Sequence, residues 1–378
     1  MDTTIQAQTI EASRSKVQRL VSLDAFRGFT IAAMIIVNDP GSWSHVYAPL
    51  LHAEWHGITP TDLVFPFFLF IVGVSIVLAY TKRMEKAYST KDLVQKVLIR
   101  ALKIFVLGLF LNLYPKFNFE EIRIPGVLQR ISIVFICCAL LFLFSGWKQW
   151  LKACLALLVL YCLAMMLIPV PGLGAGVLEP GKNLAAWVDS LLIPGRLWQG
   201  TWDPEGLLST FPAIATGITG MLAGRIIVSS QEQHQKVVWL FVWGFALFVL
   251  GGIWNWFFPI NKNLWTSSYV LYTSGLAFLC LAASIFIVDI KGYKKWTRIG
   301  VIFGANAITA YVLAGILGFL FVFELNEAGD SLQTLYFNGL VNAGMAPKLV
   351  SLIWAVLYTA LCFVPVYILY KKKIFIKV

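Results

Sequence analysis

Residues Asp62–Tyr80 read DLVFPFFLFIVGVSIVLAY, one carboxylate followed by eighteen residues without a charge. A run of that length, wound as a helix, matches the roughly 20 residues needed to cross a bilayer core. Comparable runs occupy Leu20–Asn38, Leu98–Tyr114, Gly126–Phe144, Leu151–Ile168, Leu207–Val228, Val237–Phe258, Thr266–Val288, Ile299–Phe323 and Leu349–Tyr370. The pattern predicts an all-α polytopic transmembrane bundle of about ten spans. Leu98–Tyr114 starts among Arg100 and Lys103, and Leu184–Leu192 is short enough to be a re-entrant or interfacial segment.

Composition agrees. The 378 residues are 59% hydrophobic and 13% charged, with a mean hydropathy of +0.77. Soluble domains sit nearer 45–50% apolar and about 25% charged, so neither a soluble enzyme nor a disordered chain fits. The net charge of +11 does not mark a nucleic-acid binder, because little soluble surface remains to carry a basic face. The six cysteines all fall in apolar runs without metal-ligand spacing, as small hydrophobes do. Residues before Leu20 lack the apolar core of a secretory signal, so the first span is expected to be retained.

Lysine and arginine alternate in density from loop to loop. Arg14, Lys16 and Arg19, the cluster Lys82–Lys96, Lys148 and Lys152, Arg225 and Lys236, Lys291–Arg298 and Lys371–Lys377 fall on one side. The other side holds Lys116, Arg123, Lys182, Arg196, Lys262 and Lys348. The positive-inside rule then puts both termini in the cytoplasm and the loops 39–61, 169–206 and 324–347 outside. Three regions follow: a cytoplasmic N-terminal tail (1–19), a transmembrane domain (20–370) and a basic cytoplasmic tail (371–378). No outward loop carries an N-x-[ST] acceptor, which favours a bacterial inner membrane over a secretory-pathway membrane.

Polar chemistry gathers at the membrane ends. Asp24 and Arg27 are three apart on one helix face, where charges at membrane depth pair. Asn38, eleven residues on, lies near the same face roughly 16 Å further along. Three of the four histidines, His45, His52 and His56, share the loop that follows. A neutral imidazole oriented by a carboxylate can take a proton from an attacking nucleophile. His52 and His56 would be metal ligands only as an i, i+4 helical pair, and no third ligand is evident, so no metal is expected. Glu54, Asp203 and Glu205, the amides Asn261 and Asn263, and tryptophans such as Trp55 lie on the same outward side, a mixture suited to a sugar-like ligand.

These residues, in this order, resemble the heparan-α-glucosaminide N-acetyltransferase family of multi-pass acyltransferases, including its bacterial members. The resemblance rests on Asp24-x-Phe26-Arg27-Gly28, Val37-Asn38, His52-Ala53-x-Trp55-x-Gly57-Ile58-Thr59 and Asp62-Leu63-Val64-Phe65-Pro66. It continues through Arg123-Ile124-Pro125-Gly126-Val127-Leu128-Gln129-Arg130, Asp203-Pro204-Glu205-Gly206 and Asn261-Lys262-Asn263-Leu264-Trp265. It implies transfer of an acetyl group from cytoplasmic acetyl-CoA to the amino group of a glucosamine unit outside, with His52 the active histidine and Asn38 and Asp62 nearby. His56 stands where the mammalian member has asparagine, which bears on acceptor contact. The long lumenal segment ahead of the first helix there has no counterpart here.

For such a reaction His52 would be general base or transient acetyl carrier, and Asn38 or backbone N–H groups would bind the oxyanion. Arg27, Arg100 and Lys103 are the cations nearest membrane depth on the donor side, where acetyl-CoA phosphates would sit. Glu54, Trp55, His56, Asp203, Glu205, Asn261 and Asn263 would contact the acceptor, an amino sugar or a glycan containing one. Membrane lipids are the other expected partners, and a homodimer is compatible with this reading. An O-acyltransferase of a surface glycan is the alternative. A secondary transporter fits less well, since no two related halves with broken helices are visible.

Overall fold

The computed structural model describes residues 20–86, 88–325 and 329–376. The expected tail 1–19 and the last two residues of the tail 371–378 lie outside them. Thirteen α-helices occur among the described residues, with only two isolated β-bridges and no strands. In chain order they are α1 (Val21–Asn38), α2 (Val64–Glu85), α3 (Thr90–Leu113), α4 (Val127–Phe144), α5 (Trp147–Leu167), α6 (Leu184–Leu192) and α7 (Leu207–Val228). There follow α8 (Gln233–Trp254), α9 (Ser267–Ser284), α10 (Arg298–Ala305), α11 (Ala307–Val322), α12 (Leu332–Asn342) and α13 (Pro347–Lys371).

Eight helical segments are long and apolar enough to cross a membrane: α1, α2 with its preceding turn, α4, α5, α7, α8, α9 with the π-helical Ile285–Ile290, and α13. The chain is an integral multi-pass membrane protein. Two of the ten predicted spans differ in form. The run Ile299–Phe323 is broken between α10 and α11 by an 83° bend at Asn306. The Asn306 amide there donates to the Ile374 carbonyl (3.1 Å) and accepts from the Ile376 N–H (2.9 Å), so the bend pins the tail after α13. The run Leu98–Tyr114 belongs to α3, which starts earlier and carries Lys91, Asp92, Lys96, Arg100 and Lys103. Its 24 residues measure about 36 Å, enough to cross despite the charges.

Close backbone packing organises the bundle. A Cβ on Gly28 of α1 would lie 1.7 Å from the Gly300 carbonyl oxygen of α10, and one on Gly73 of α2 would lie 1.9 Å from that of Gly217 in α7. Only glycine permits these approaches, the means by which helices associate where lipid supplies no hydrophobic drive. The first amides of α1 are met by Asp289, whose carboxylate accepts from Val21 N–H (3.2 Å) and Ser22 N–H (3.3 Å). α2, α7 and α9 form the centre, while α5 and α8 keep mostly exposed apolar faces such as Leu160, Val238, Phe241 and Phe245. Basic residues dominate one end of the bundle, and the His52 loop lies at the other.

Candidate active site

The histidine end is built from the loop between α1 and α2. Pro60 opens a single 3-10 turn, Pro60–Leu63, which Thr59 and Asp62 cap reciprocally. The turn folds Asp62 back under the loop, where it is 1% exposed. One carboxylate oxygen accepts from the Ala53 and Thr59 N–H groups, both at 3.0 Å, and the other faces His52 Nδ1 at 2.7 Å. Because an ionised carboxylate only accepts, the proton of that bond resides on Nδ1 and the Nε2 lone pair is left free. The His52 side chain is 44% exposed. The imidazole therefore stands on a buried carboxylate that engages its Nδ1. Tyr269 of α9 fastens the turn from beneath, its hydroxyl donating to the Asp62 carbonyl at 2.5 Å.

A second loop closes on this one. Gly57 N–H donates to the Ile260 carbonyl (2.8 Å), and the Asn261 amide donates to the Trp55 carbonyl (2.8 Å). This docking brings Lys262 to the histidine, with Nζ 3.1 Å from Nδ1, 3.0 Å from Nε2 and 4.0 Å from the Asp62 carboxylate. An in-plane amine equidistant from both ring nitrogens at that range would collide with the carbon between them. Nζ therefore lies over the ring face. Burial draws the Lys262 ammonium below the usual lysine value and Arg130 adds to this, while Asp62 and Glu205 act in the opposite sense. Sequence reading counts Lys262 only as one of the few cations on its side of the membrane. Its 210-residue separation from His52 leaves no local signal.

The remaining predicted contacts divide. Asp203 is 2% exposed and both its oxygens are engaged, by Arg123 in a bidentate pair at 2.7 Å and by the amides of Trp198 and Glu205. Glu205 accepts from the same guanidinium at 2.7 Å. Burial would raise the Asp203 carboxyl, but Arg123 and the amides outweigh it and hold the group below its usual range. These groups brace the loop that leads into α7. Asn261 is fully buried as the fastener between loops, and Trp55 is held by the Leu178 carbonyl (2.8 Å) and packs edge-on against Trp202. His56 is exposed with its Nδ1 3.4 Å from the Asn261 amide, and burial of its ring draws its pKa down. Residues 52–57 are not helical, so His52 and His56 share no helix face. Glu54 is exposed and Asn263 half-buried.

At the basic end lies a cavity of about 500 Å³ lined by Arg27, Arg100 and Lys103 together. Arg83 and Lys96 join them, and no carboxylate lines the space. Lys96, Arg100 and Lys103 follow an i, i+4, i+7 spacing, a single face of α3, which was a readable signal for Lys96. Arg27 also pairs with Asp24 at 3.6 Å, as its spacing predicts, and donates to the Ser75 hydroxyl at 2.8 Å. Along α2 the cavity runs from Arg83 to Phe68, about 22 Å, and Phe68 lies six residues, about 9 Å, from Asp62.

Asn38 lines a different cavity, of about 310 Å³, with Asp39, Asn112, Tyr114, Tyr311 and Phe319. Among the described residues no hydrogen bond joins Asn38 to His52 or Asp62. Nor do the described residues contain three or more His, Cys, Asp or Glu side chains grouped to hold a metal ion.

Residues 19–252 match the family model described as heparan-alpha-glucosaminide N-acetyltransferase, catalytic. The chain is 30% identical over 427 aligned residues to heparan-alpha-glucosaminide N-acetyltransferase from Mus musculus, covering 97% of this chain and 62% of the relative. It is 30% identical over 421 residues to the protein of that name from Homo sapiens, covering 95% and 60%. The chain thus spans about three fifths of the length of these curated relatives, and it belongs to the heparan-alpha-glucosaminide N-acetyltransferase family.

Proposed function

We propose that this family member transfers an acetyl group from acetyl-CoA, taken up in the basic cavity, to the amino group of a glucosamine-type sugar at the opposite face. The observation that carries the reading is the His52–Asp62 pair, 2.7 Å apart with Nε2 open, at the far end of the bundle from a cavity lined by five cations. Phosphates would engage Arg27, Arg83, Lys96, Arg100 and Lys103 at the cavity mouth. The acyl arm would run between Ile71, Ile76 and Phe135 toward Phe68. The cationic loops make the donor side cytoplasmic, with α3 and the bent α10–α11 pair completing ten spans and both termini on that side.

At the acceptor, the amine nitrogen attacks the thioester carbonyl, the C–N bond forms and the C–S bond breaks. His52 Nε2 takes the proton released by the attacking nitrogen and returns it to the CoA sulfur. Asp62 holds the ring in the tautomer that makes this possible and offsets the imidazolium charge. The Lys262 ammonium over the ring is the nearest fixed cation to the carbonyl oxygen as it becomes an oxyanion, and the bundle excludes competing water.

The test is acetyl transfer by the purified full chain in lipid vesicles, with labelled acetyl-CoA and a panel of hexosamines. An amide product stable to hydroxylamine is the expected result. No transfer, or a hydroxylamine-labile ester, overturns the reading.

A further inference from the structure

The second cavity takes no part in the steps above, and its lining at the outward end of α1 is polar. The Asn38 amide, the Asp39 carboxylate and the Tyr311 hydroxyl face it, and none makes a hydrogen bond or ion pair among the described residues. The Asn112 amide donates to the Arg123 and Pro125 carbonyls (2.7 and 2.8 Å), which leaves its oxygen as a further acceptor. Asn38 is exposed, but Asp39 and Tyr311 are half-buried, where an unpaired polar group is costly unless something completes it. A carboxylate, an amide and a hydroxyl on one cavity match an ammonium and ring hydroxyls, and the rings of Tyr114 and Phe319, in edge contact at 5.6 Å, form one apolar wall of it. The cavity volume is about 310 Å³, room for a sugar ring.

Its position also fits. The basic cavity and this one are stacked on the same three helices. Arg27 and Met34 mark them on α1, Ile104 and Leu111 on α3, Ile308 and Tyr311 on α11. Those separations of seven, seven and three residues correspond to about 10, 10 and 5 Å.

We propose that this cavity seats the acceptor as a single monosaccharide bearing a primary amine, and that Asp39 selects the amine. The proposal rests on the acetyl-transfer reading for the fate of that amine. An ammonium has no lone pair to attack with, so it must lose a proton first. Burial pushes the Asp39 carboxyl up to about 7, which suits it to accept that proton. Facing Asp39 are the Tyr358 hydroxyl, the backbone at Gly318 and Cys362, with Tyr311 across the cavity and the Arg123–Glu205 pair behind it. Among the described residues no basic side chain pairs with it.

Binding of glucosamine, N-acetylglucosamine, glucose and ethanolamine to the full chain in lipid nanodiscs, without acetyl-CoA, tests this. Glucosamine should bind best, because ethanolamine lacks the ring and its several hydroxyls and the other sugars lack the free amine. Asp39→Asn should weaken glucosamine binding roughly tenfold or more and leave CoA binding unchanged. Wild-type binding should weaken as pH falls through about 7, where Asp39 becomes neutral, and the variant should lack that dependence. Tyr311→Phe should weaken both sugar and amino sugar while preserving the preference for the amine. The wild-type pH dependence and Tyr311→Phe carry the test if Asp39→Asn does not fold. Equal binding of glucose and glucosamine, or unaltered glucosamine binding by Asp39→Asn, overturns the proposal. Asp39-dependent binding without acetyl transfer would remove the functional reading and keep the pocket. Transfer with an unchanged glucosamine KM in Asp39→Asn would do the reverse.

Discussion

The two ends of the bundle recognise by different means. The basic cavity is made of helix flanks, and its five cations sit on long side chains projecting from α1, α2 and α3 into about 500 Å³. The histidine end is made of loops, yet its geometry is the more tightly held. Asp62 is fixed by two amides, a capped turn and Tyr269, and His52 by Asp62. Regular secondary structure is therefore not where the rigidity lies. A large polyanionic donor can be held by summed charge, which tolerates movement of any one contact. Proton transfer requires one nitrogen at one place.

That contrast can be broken most severely at the histidine. His52→Ala should lose about 10²–10⁴ in acetyl transfer while CoA affinity, read by calorimetry, stays near wild type. Asp62→Asn should come close to this, because an amide cannot accept from His52 and both loop amides at once. If His52→Ala retained transfer, or lost CoA binding in proportion, the division of labour between the ends would not hold.

Lys262 sharpens the comparison, since it is the cation that reaches the His52 ring. Lys262→Met should lower kcat by about 10–100-fold. Because burial places the ammonium below the ordinary lysine value, its charge is present at lower pH and lost as pH rises through that lowered value. Activity should fall on the alkaline side for that reason. Lys262→Arg, which does not deprotonate there, should extend the alkaline limb. An identical limb in both proteins would show that the charge of Lys262 is not used.

Single cations of the basic cavity should matter less. Arg100→Gln should weaken CoA binding about 3–10-fold, with a steeper loss at high salt and little change in kcat at saturation. A collapse of kcat instead would mean that this end, too, works by position. The smallest effect is expected at Glu54, exposed and without a hydrogen bond among the described residues. Glu54→Gln should change the acceptor KM by less than about twofold, the scale of surface electrostatics.

Much of this architecture was legible because membrane spans are written as long apolar runs, as at Phe65–Tyr80. The exceptions have physical causes. α3 turns Lys96, Arg100 and Lys103 toward the basic cavity, so hydropathy undercounts it. The 83° bend at Asn306 leaves no trace in hydropathy, since a single asparagine within an apolar stretch can as easily cap as kink. The histidine and its aspartate were readable because they lie only ten positions apart in one loop. Lys262 was not, because only the docking of Gly57 on Ile260 and of Asn261 on Trp55 brings it there. Asp203 and Glu205 were recognised as a motif, but their engagement by Arg123 depends on a contact 80 residues apart. Composition alone cannot separate a carboxylate that braces a loop from one that meets a ligand.

The bend at Asn306 has a practical side. Through it the backbone around Ile374 and Ile376 is stitched to the hinge of a split helix, and Ile376 itself forms part of the rim of the basic cavity. If the basic cavity takes the donor as proposed, an affinity handle or fluorescent reporter joined beyond that residue would compete with CoA at the cavity mouth, and activity should rise when it is cleaved off.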